Sequence, residues 1–150
     1  MTEVSFYHLQ RQPLEAVLPT LLLKARERGW RAVVQGMSDE RIAALDDHLW
    51  TFSDETFLPH EREGDGDPND HPVLLTLSGS NLNGAQIRFL VEGAPLPEDA
   101  AAYERLMVLF DGADEDALAA AREQWRVVKS AGHDATYWQQ DARGRWEKKA

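Results

Sequence analysis

The chain has 150 residues, of which 43% are hydrophobic and 28% charged, with a net charge of −10 and no cysteine. That length suits one domain with a substantial core, and the acidic balance opposes nonspecific binding to a nucleic acid backbone. The lack of thiols excludes disulfides, thiol catalysis and cysteine-ligated zinc, and fits a cytoplasmic protein. No apolar run approaches the ~20 residues of a membrane span, and no basic segment followed by an apolar core marks a signal peptide.

Residues 4–9 (Val-Ser-Phe-Tyr-His-Leu) read as a first strand, rich in aromatic and β-branched side chains. Pro13 opens a helix in which Leu14, Val17, Leu18, Leu21, Leu22 and Ala25 recur at helical spacing, and Gly29 closes it. Residues 30–35 (Trp-Arg-Ala-Val-Val-Gln) read as a second strand. Ser38-Asp39-Glu40 then favours a helix start, with Ile42, Leu45 and Leu49 on one face. This β-α-β-α order predicts parallel strands joined by right-handed crossovers.

Residues 49–60 are too apolar for an ordinary connection, holding Trp50, Phe52, Phe57 and Leu58 before Pro59 and His60. They either fold back into the core or form a patch that another chain covers. Residues 61–71 read as an exposed acidic loop, 72–77 as a buried strand, 78–84 as a turn and 86–91 as another strand. Tyr103, Leu106, Met107 and Phe110 suggest a helix over residues 100–110. A second helix spans 115–131, closed by Gly132. Residues 133–139 alternate as a strand, residues 141–144 form a hairpin-like turn, and 145–148 pair back. The fold class expected is α/β, a single domain over residues 1–150 with a mainly parallel sheet flanked by helices, Rossmann-like without a glycine-rich nucleotide loop.

Most catalytic and cofactor chemistry lacks its residues. The turn after the first strand is Gln10-Arg11-Gln12-Pro13, without the glycines that let a backbone approach pyrophosphate. His60 and His71 with Asp65, Asp67 and Asp70 could gather a metal, but a solvated acidic loop is the better explanation. No nucleophile elbow is present. The expectation is no cofactor, no metal and no catalytic residue.

The positive signal is the helix over residues 115–131. Ala117, Ala121, Gln124 and Val128 form one stripe, and Leu118, Arg122, Trp125, Arg126 and Lys129 form another. The second stripe suits a short acidic and aromatic peptide, because guanidinium groups clamp carboxylates while Trp125 and Leu118 receive a ring. The same spacing fits a solvated basic face whose tryptophan turns to the core. From Ala117 onward the chain carries seven basic residues and four acidic ones, so its charge is polarised.

Taken in order, Phe6-Tyr7-x-Leu9, Gly29-Trp30-Arg31, Leu49-Trp50, Phe57-Leu58-Pro59-His60, Phe110-Asp111, Ala121-Arg122-Glu123-Gln124-Trp125, Ala131-Gly132 and Tyr137-Trp138 resemble the chi subunit of bacterial DNA polymerase III. The resemblance implies a noncatalytic adaptor of DNA replication. One surface would hold the psi subunit, which leads to the clamp loader. Another would hold the acidic C-terminal tail of the single-stranded DNA-binding protein. Carried over, Trp50 and Phe57, with Phe52, Leu58, Pro59 and His60 around them, fall on the psi-facing surface. Arg122 falls on the tail surface, beside Leu118, Trp125, Arg126, Lys129 and Tyr137. Two positions depart from the family pattern: Leu118 replaces a lysine and Asp111 an apolar residue, which weakens the tail site or shifts it toward Arg126 and Lys129. The partner at Trp50 is psi, a helicase that shares that surface, or a second copy. The alternatives from other classes are a small α/β nucleotide-binding protein or enzyme with an unusual phosphate loop, and a chain that binds single-stranded DNA by itself.

Overall fold

Leu106-Met107-Val108-Leu109-Phe110, Val73-Leu74-Leu75 and Ala32-Val33-Val34 are all buried. Continuous apolar runs of this kind belong to strands covered on both faces. The computed structural model describes residues 2–53, 58–67 and 71–150. Among these, eight strands form one sheet: β1 (Glu3–Leu9), β2 (Ala32–Gln35), β3 (Glu61–Arg62), β4 (Val73–Thr76), β5 (Ile87–Leu90), β6 (Arg105–Asp111), β7 (Asp134–Gln140) and β8 (Trp146–Lys148). Their order across the sheet is β3-β4-β2-β5-β6-β1-β7-β8. All neighbours pair in parallel except β8, which returns antiparallel along β7.

Three α-helices among the described residues pack on this sheet: α1 (Leu14–Glu27), α2 (Asp39–Thr51) and α3 (Glu115–Ser130). Pro13 stands at the N-cap of α1, where its missing N–H costs nothing, and Ser38 caps α2 by accepting from the Arg41 N–H. Val17, Leu18, Leu21, Leu22 and Ala25 of α1 and Ile42, Leu45 and Leu49 of α2 share one core with Val34, Leu75, Phe89 and Met107. On the other face, Ala121 and Val128 of α3 pack with Phe6, Val33, Leu74, Leu106 and Val108. The connection leaving β1 thus crosses one face and that leaving β6 crosses the other, although the two strands are neighbours.

Three expectations need correction. Residues 100–110 do not form a helix. Ala100–Ala102 make one 3-10 turn and Arg105–Asp111 is the strand between β5 and β1. Leu106, Met107 and Phe110 match helical spacing only because every residue from 106 to 110 is apolar, and a strand buried on both faces needs that. Secondly, residues 61–71 are not wholly an exposed loop: Glu61 and Arg62 pair with Leu74 and Leu75 as an edge strand. Thirdly, Trp50 lies in the last turn of α2 rather than in a connection.

A candidate peptide-binding groove between α3 and β7

Asp114 caps α3, its carboxylate accepting from the Asp116 and Ala117 N–H groups, and Gly132, at φ 82°, lets the chain turn away after the last turn. Burial of Ala121 and Val128 fixes the rotation of the helix. Arg122, Trp125, Arg126 and Lys129 then fall along its flank, and Arg122, Trp125 and Arg126 line a cavity of 420 Å³ together with Ala121, Tyr137 and Ala150. The chain past β8 completes the wall: the Lys149 N–H donates to the Tyr137 carbonyl (2.7 Å), and the Tyr137 N–H to the Ala150 carbonyl (3.3 Å).

Trp125 reconciles the two sequence readings of its helix. Its ring meets Phe6 edge-on, with centroids 5.4 Å apart, and Tyr137 at 6.1 Å, so it is anchored in the core while forming the groove floor. Lys129 Nζ stands 5.7 Å from the Trp125 ring, within cation–π range. Arg126 contacts Glu123 at 3.3 Å, but both side chains are well exposed, and such surface pairs contribute little and exchange readily. Two predicted groove residues, Lys129 and Leu118, are absent from the groove lining; Lys129 still stands beside it, over the Trp125 ring, whereas Leu118 turns away. Leu118 is half-buried against the α3-side core. The cationic end of the site is therefore Arg122, Arg126 and Lys129.

Beneath the groove lies a pair that the sequence reading missed. His8 Nδ1 sits 2.6 Å from the Tyr137 hydroxyl and 3.1 Å from Gln139 Nε2. Parallel pairing places His8 between Phe110 and Gln139 across the sheet, and its ring packs on Phe110 with centroids 5.2 Å apart. A β-carbon at position 112 would fall inside the His8 ring, so Gly112 makes the room it occupies. The only signal in the sequence was His8 on the same strand face as Phe6. Its link to Tyr137 needed the pairing of β1 with β7.

Burial holds the Tyr137 hydroxyl above the usual phenol range, against the opposing effects of Arg122 and its hydrogen bond with Gln139, so at neutral pH it is a donor. Burial lowers the His8 pKa from its ordinary value, only partly offset by the Asp111 carboxylate. The unfolded chain therefore binds this proton more readily. Stability from neutral His8 is complete above about pH 6.5 and is lost as pH falls through the lower folded value. Thermal melts of His8→Gln should lose less stability than wild type between about pH 7 and pH 5; a variant curve parallel to wild type would contradict this.

The second predicted surface divides. Trp50 is 52% exposed, and its ring packs against His60 at a tilt of 43°, with centroids 4.2 Å apart. Phe52 is partly buried against the α1–α2 core, and Pro59 is half-buried. Leu58 and His60, expected to face a partner, are buried in this chain's own interior. The His60 ring nitrogens point at the Leu58 carbonyl (2.8 Å) and at the Asp46 carboxylate (3.1 Å). His60 supports the Trp50 ring and Leu58 packs in the α1–α2 core, so neither offers contact area. Phe57 lies outside the described residues. His60 is thus engaged away from the acidic loop, and His71 pairs with Glu61 at 2.6 Å. Among the described residues no three His, Asp or Glu side chains are placed to hold a metal ion, and Asp70 lies outside them.

A crevice of 660 Å³ opens at the carboxyl ends of β1, β5 and β6, where doubly wound folds hold nucleotides. Its polar wall carries Glu15, Glu92, Asp111, Asp114 and Asp116 against Arg11 and Arg41. Arg41 is already paired with Glu15 at 3.0 Å. At the head of α3, the Asp114 carboxylate occupies the amides that would meet a phosphate. This crevice repels the ligand that its position would otherwise suit.

The fold and its surfaces define a Rossmann-like α/β protein whose nucleotide crevice is acidic and without a glycine loop, and whose open groove is cationic and aromatic. A family model described as DNA polymerase III chi subunit, HolC, matches residues 1–136, and the chain belongs to that family. It is also similar to the probable DNA polymerase III subunit chi of Rickettsia prowazekii (strain Madrid E), being 21% identical over 117 residues, which cover 74% of this chain and 71% of that protein. Its role is that of an accessory subunit in DNA replication, associated with the DNA polymerase III complex and not catalytic by itself. Among the described residues, no helix is long and apolar enough to cross a membrane.

Proposed function

We propose that this chain is a noncatalytic adaptor that ties the polymerase's clamp loader to single-stranded DNA-binding protein. The groove between α3 and β7 takes that protein's acidic C-terminal tail: Arg122 and Arg126 hold its carboxylates, Lys129 adds positive charge, and Trp125 receives an aromatic side chain. Trp50, propped on His60, offers the second surface, to psi or to an equivalent partner such as a helicase. The observation that carries this reading is the meeting of Arg122, Trp125, Arg126 and Tyr137 in one groove on a chain of net charge −10. Cationic side chains gathered around an aromatic floor match the chemistry of an acidic, aromatic-ended peptide.

The test is calorimetric titration with a short peptide of aspartates ending in phenylalanine. We expect a dissociation constant on the order of micromolar, weakening as salt rises because charges at an open site are screened. Arg122→Ala should weaken binding about tenfold, the equivalent of one charged hydrogen bond, without shifting the melting temperature. Equal affinities for the variant and wild type would remove Arg122 from the site.

A further inference from the structure

We propose that His8 and Tyr137 form a proton-gated donor at the base of this groove, so that capture of an anionic peptide tightens when His8 is protonated. The inference rests on the groove reading above and adds a residue that lies outside the groove lining.

The hydrogen-bond roles define the gate. With His8 neutral, Nδ1 carries a lone pair. It faces two donors, the Tyr137 hydroxyl at 2.6 Å and the Gln139 amide at 3.1 Å. The proton then sits on Nε2, and the Tyr137 O–H points into the protein toward Nδ1. When His8 takes a proton at Nδ1, that atom becomes a donor and the Tyr137 oxygen its acceptor, and the Gln139 amide, which can no longer donate there, turns its oxygen toward it. The Tyr137 hydrogen is released and turns outward, where the ring lines the groove beside Arg122. A peptide carboxylate lying against Arg122 then accepts from Tyr137, and the imidazolium stands one residue behind it. Protonation adds both a donor and a positive charge where an anion binds.

The surroundings allow His8 to change state. It is half-buried, so water reaches it. The elements around it present Phe110 and Asp111 from β6, Tyr137 and Gln139 from β7, and Arg122 from α3, whose charge acts on Tyr137. Asp111 favours the imidazolium and burial disfavours it, which leaves His8 neutral in the free protein at neutral pH. An anion in the groove adds a second favourable charge. By linkage, a peptide that prefers protonated His8 raises the His8 pKa by the same factor by which protonation raises peptide affinity.

The experiment measures anisotropy of a fluorescent aspartate-rich peptide ending in phenylalanine, from pH 8 to pH 6, a range in which its carboxylates stay ionised. Wild type should bind about fivefold tighter at pH 6, a modest coupling between two sites. The dependence should disappear in His8→Leu and fall by about half in Tyr137→Phe, which keeps the ring packing and the His8 charge but lacks the donor. The His8 imidazole resonance, followed by NMR, should titrate at higher pH with saturating peptide than without it. Binding with no pH dependence in wild type, or a dependence as large as wild type in either variant, overturns the gate and leaves the groove standing. No binding by wild type at either pH overturns the groove reading and the gate with it. Loss in Arg122→Ala at both pH values identifies the groove independently of His8.

Discussion

Arg88→Ala should cost about 3–5 kcal/mol, because it orphans several buried acceptors at once and leaves a void. That is a large part of the roughly 5–15 kcal/mol by which a domain of this size is stable. Arg88 is 0% exposed, in the middle of β5, on the face that α3 covers only in part. Among the described residues its guanidinium has no carboxylate partner. It donates instead to Gln35 Oε1 from two nitrogens (3.1 and 2.8 Å), to the Tyr103 hydroxyl (3.0 Å) and to the carbonyls of Ser80 and Ser78. Those carbonyls belong to residues 78–84, which close over this part of the sheet in place of a helix. Arg88→Met keeps most of the volume and none of the donors, so it should still cost about 2–3 kcal/mol through the unsatisfied carbonyls. Urea unfolding followed by circular dichroism gives both values. Near-wild-type stability for Arg88→Met would show that packing alone holds residues 78–84 in place.

His60→Ala is the second large effect, expected at about 2–3 kcal/mol. The ring is fully buried, and its removal strands the Leu58 carbonyl and leaves Asp46, itself mostly buried, without its partner. Trp50 also loses the ring it packs against. The change should therefore appear twice, as a lower urea midpoint and as altered tryptophan emission. Trp50→Ala should differ: with the residue 52% exposed, the midpoint should fall less than in His60→Ala, while the proposed second surface loses its indole. If His60→Ala unfolded no more easily than Trp50→Ala, the view of His60 as a buried prop would fail.

How far the sequence foretold this molecule depended on how local each determinant is. Pro13, Ser38, Gly29 and Gly132 mark helix ends by short-range chemistry, and the apolar spacing from Leu14 to Ala25 is a one-dimensional signal. These elements were legible. Residues 105–111 were not, since a central parallel strand has no alternation and its apolar run satisfies helical spacing by default. Arg88 gave no warning either: residues 86–91 read only as a strand, and the carbonyls of Ser78 and Ser80 that receive its guanidinium come from a turn whose position no local pattern marks. The groove was half legible. Arg122, Trp125 and Arg126 follow from one helix, whereas the contributions of Tyr137 and His8 depend on β1 pairing with β7 at a particular register. Leu118 and Leu58 show the reverse error, in which proximity in sequence placed a residue on a surface that its side chain leaves.

The central claim is that an acidic tail docks between α3 and β7 and not at Trp50 or in the acidic crevice. The most direct measurement is NMR chemical-shift mapping of the isotope-labelled chain during titration with the aspartate-rich, phenylalanine-ended peptide. The account predicts saturable shifts confined to the backbones around Arg122, Arg126 and Tyr137 and to the Trp125 indole N–H, with the Trp50 indole N–H unmoved. Shifts centred on Trp50, or on Leu9 and Asp111 at the mouth of the crevice, would contradict it.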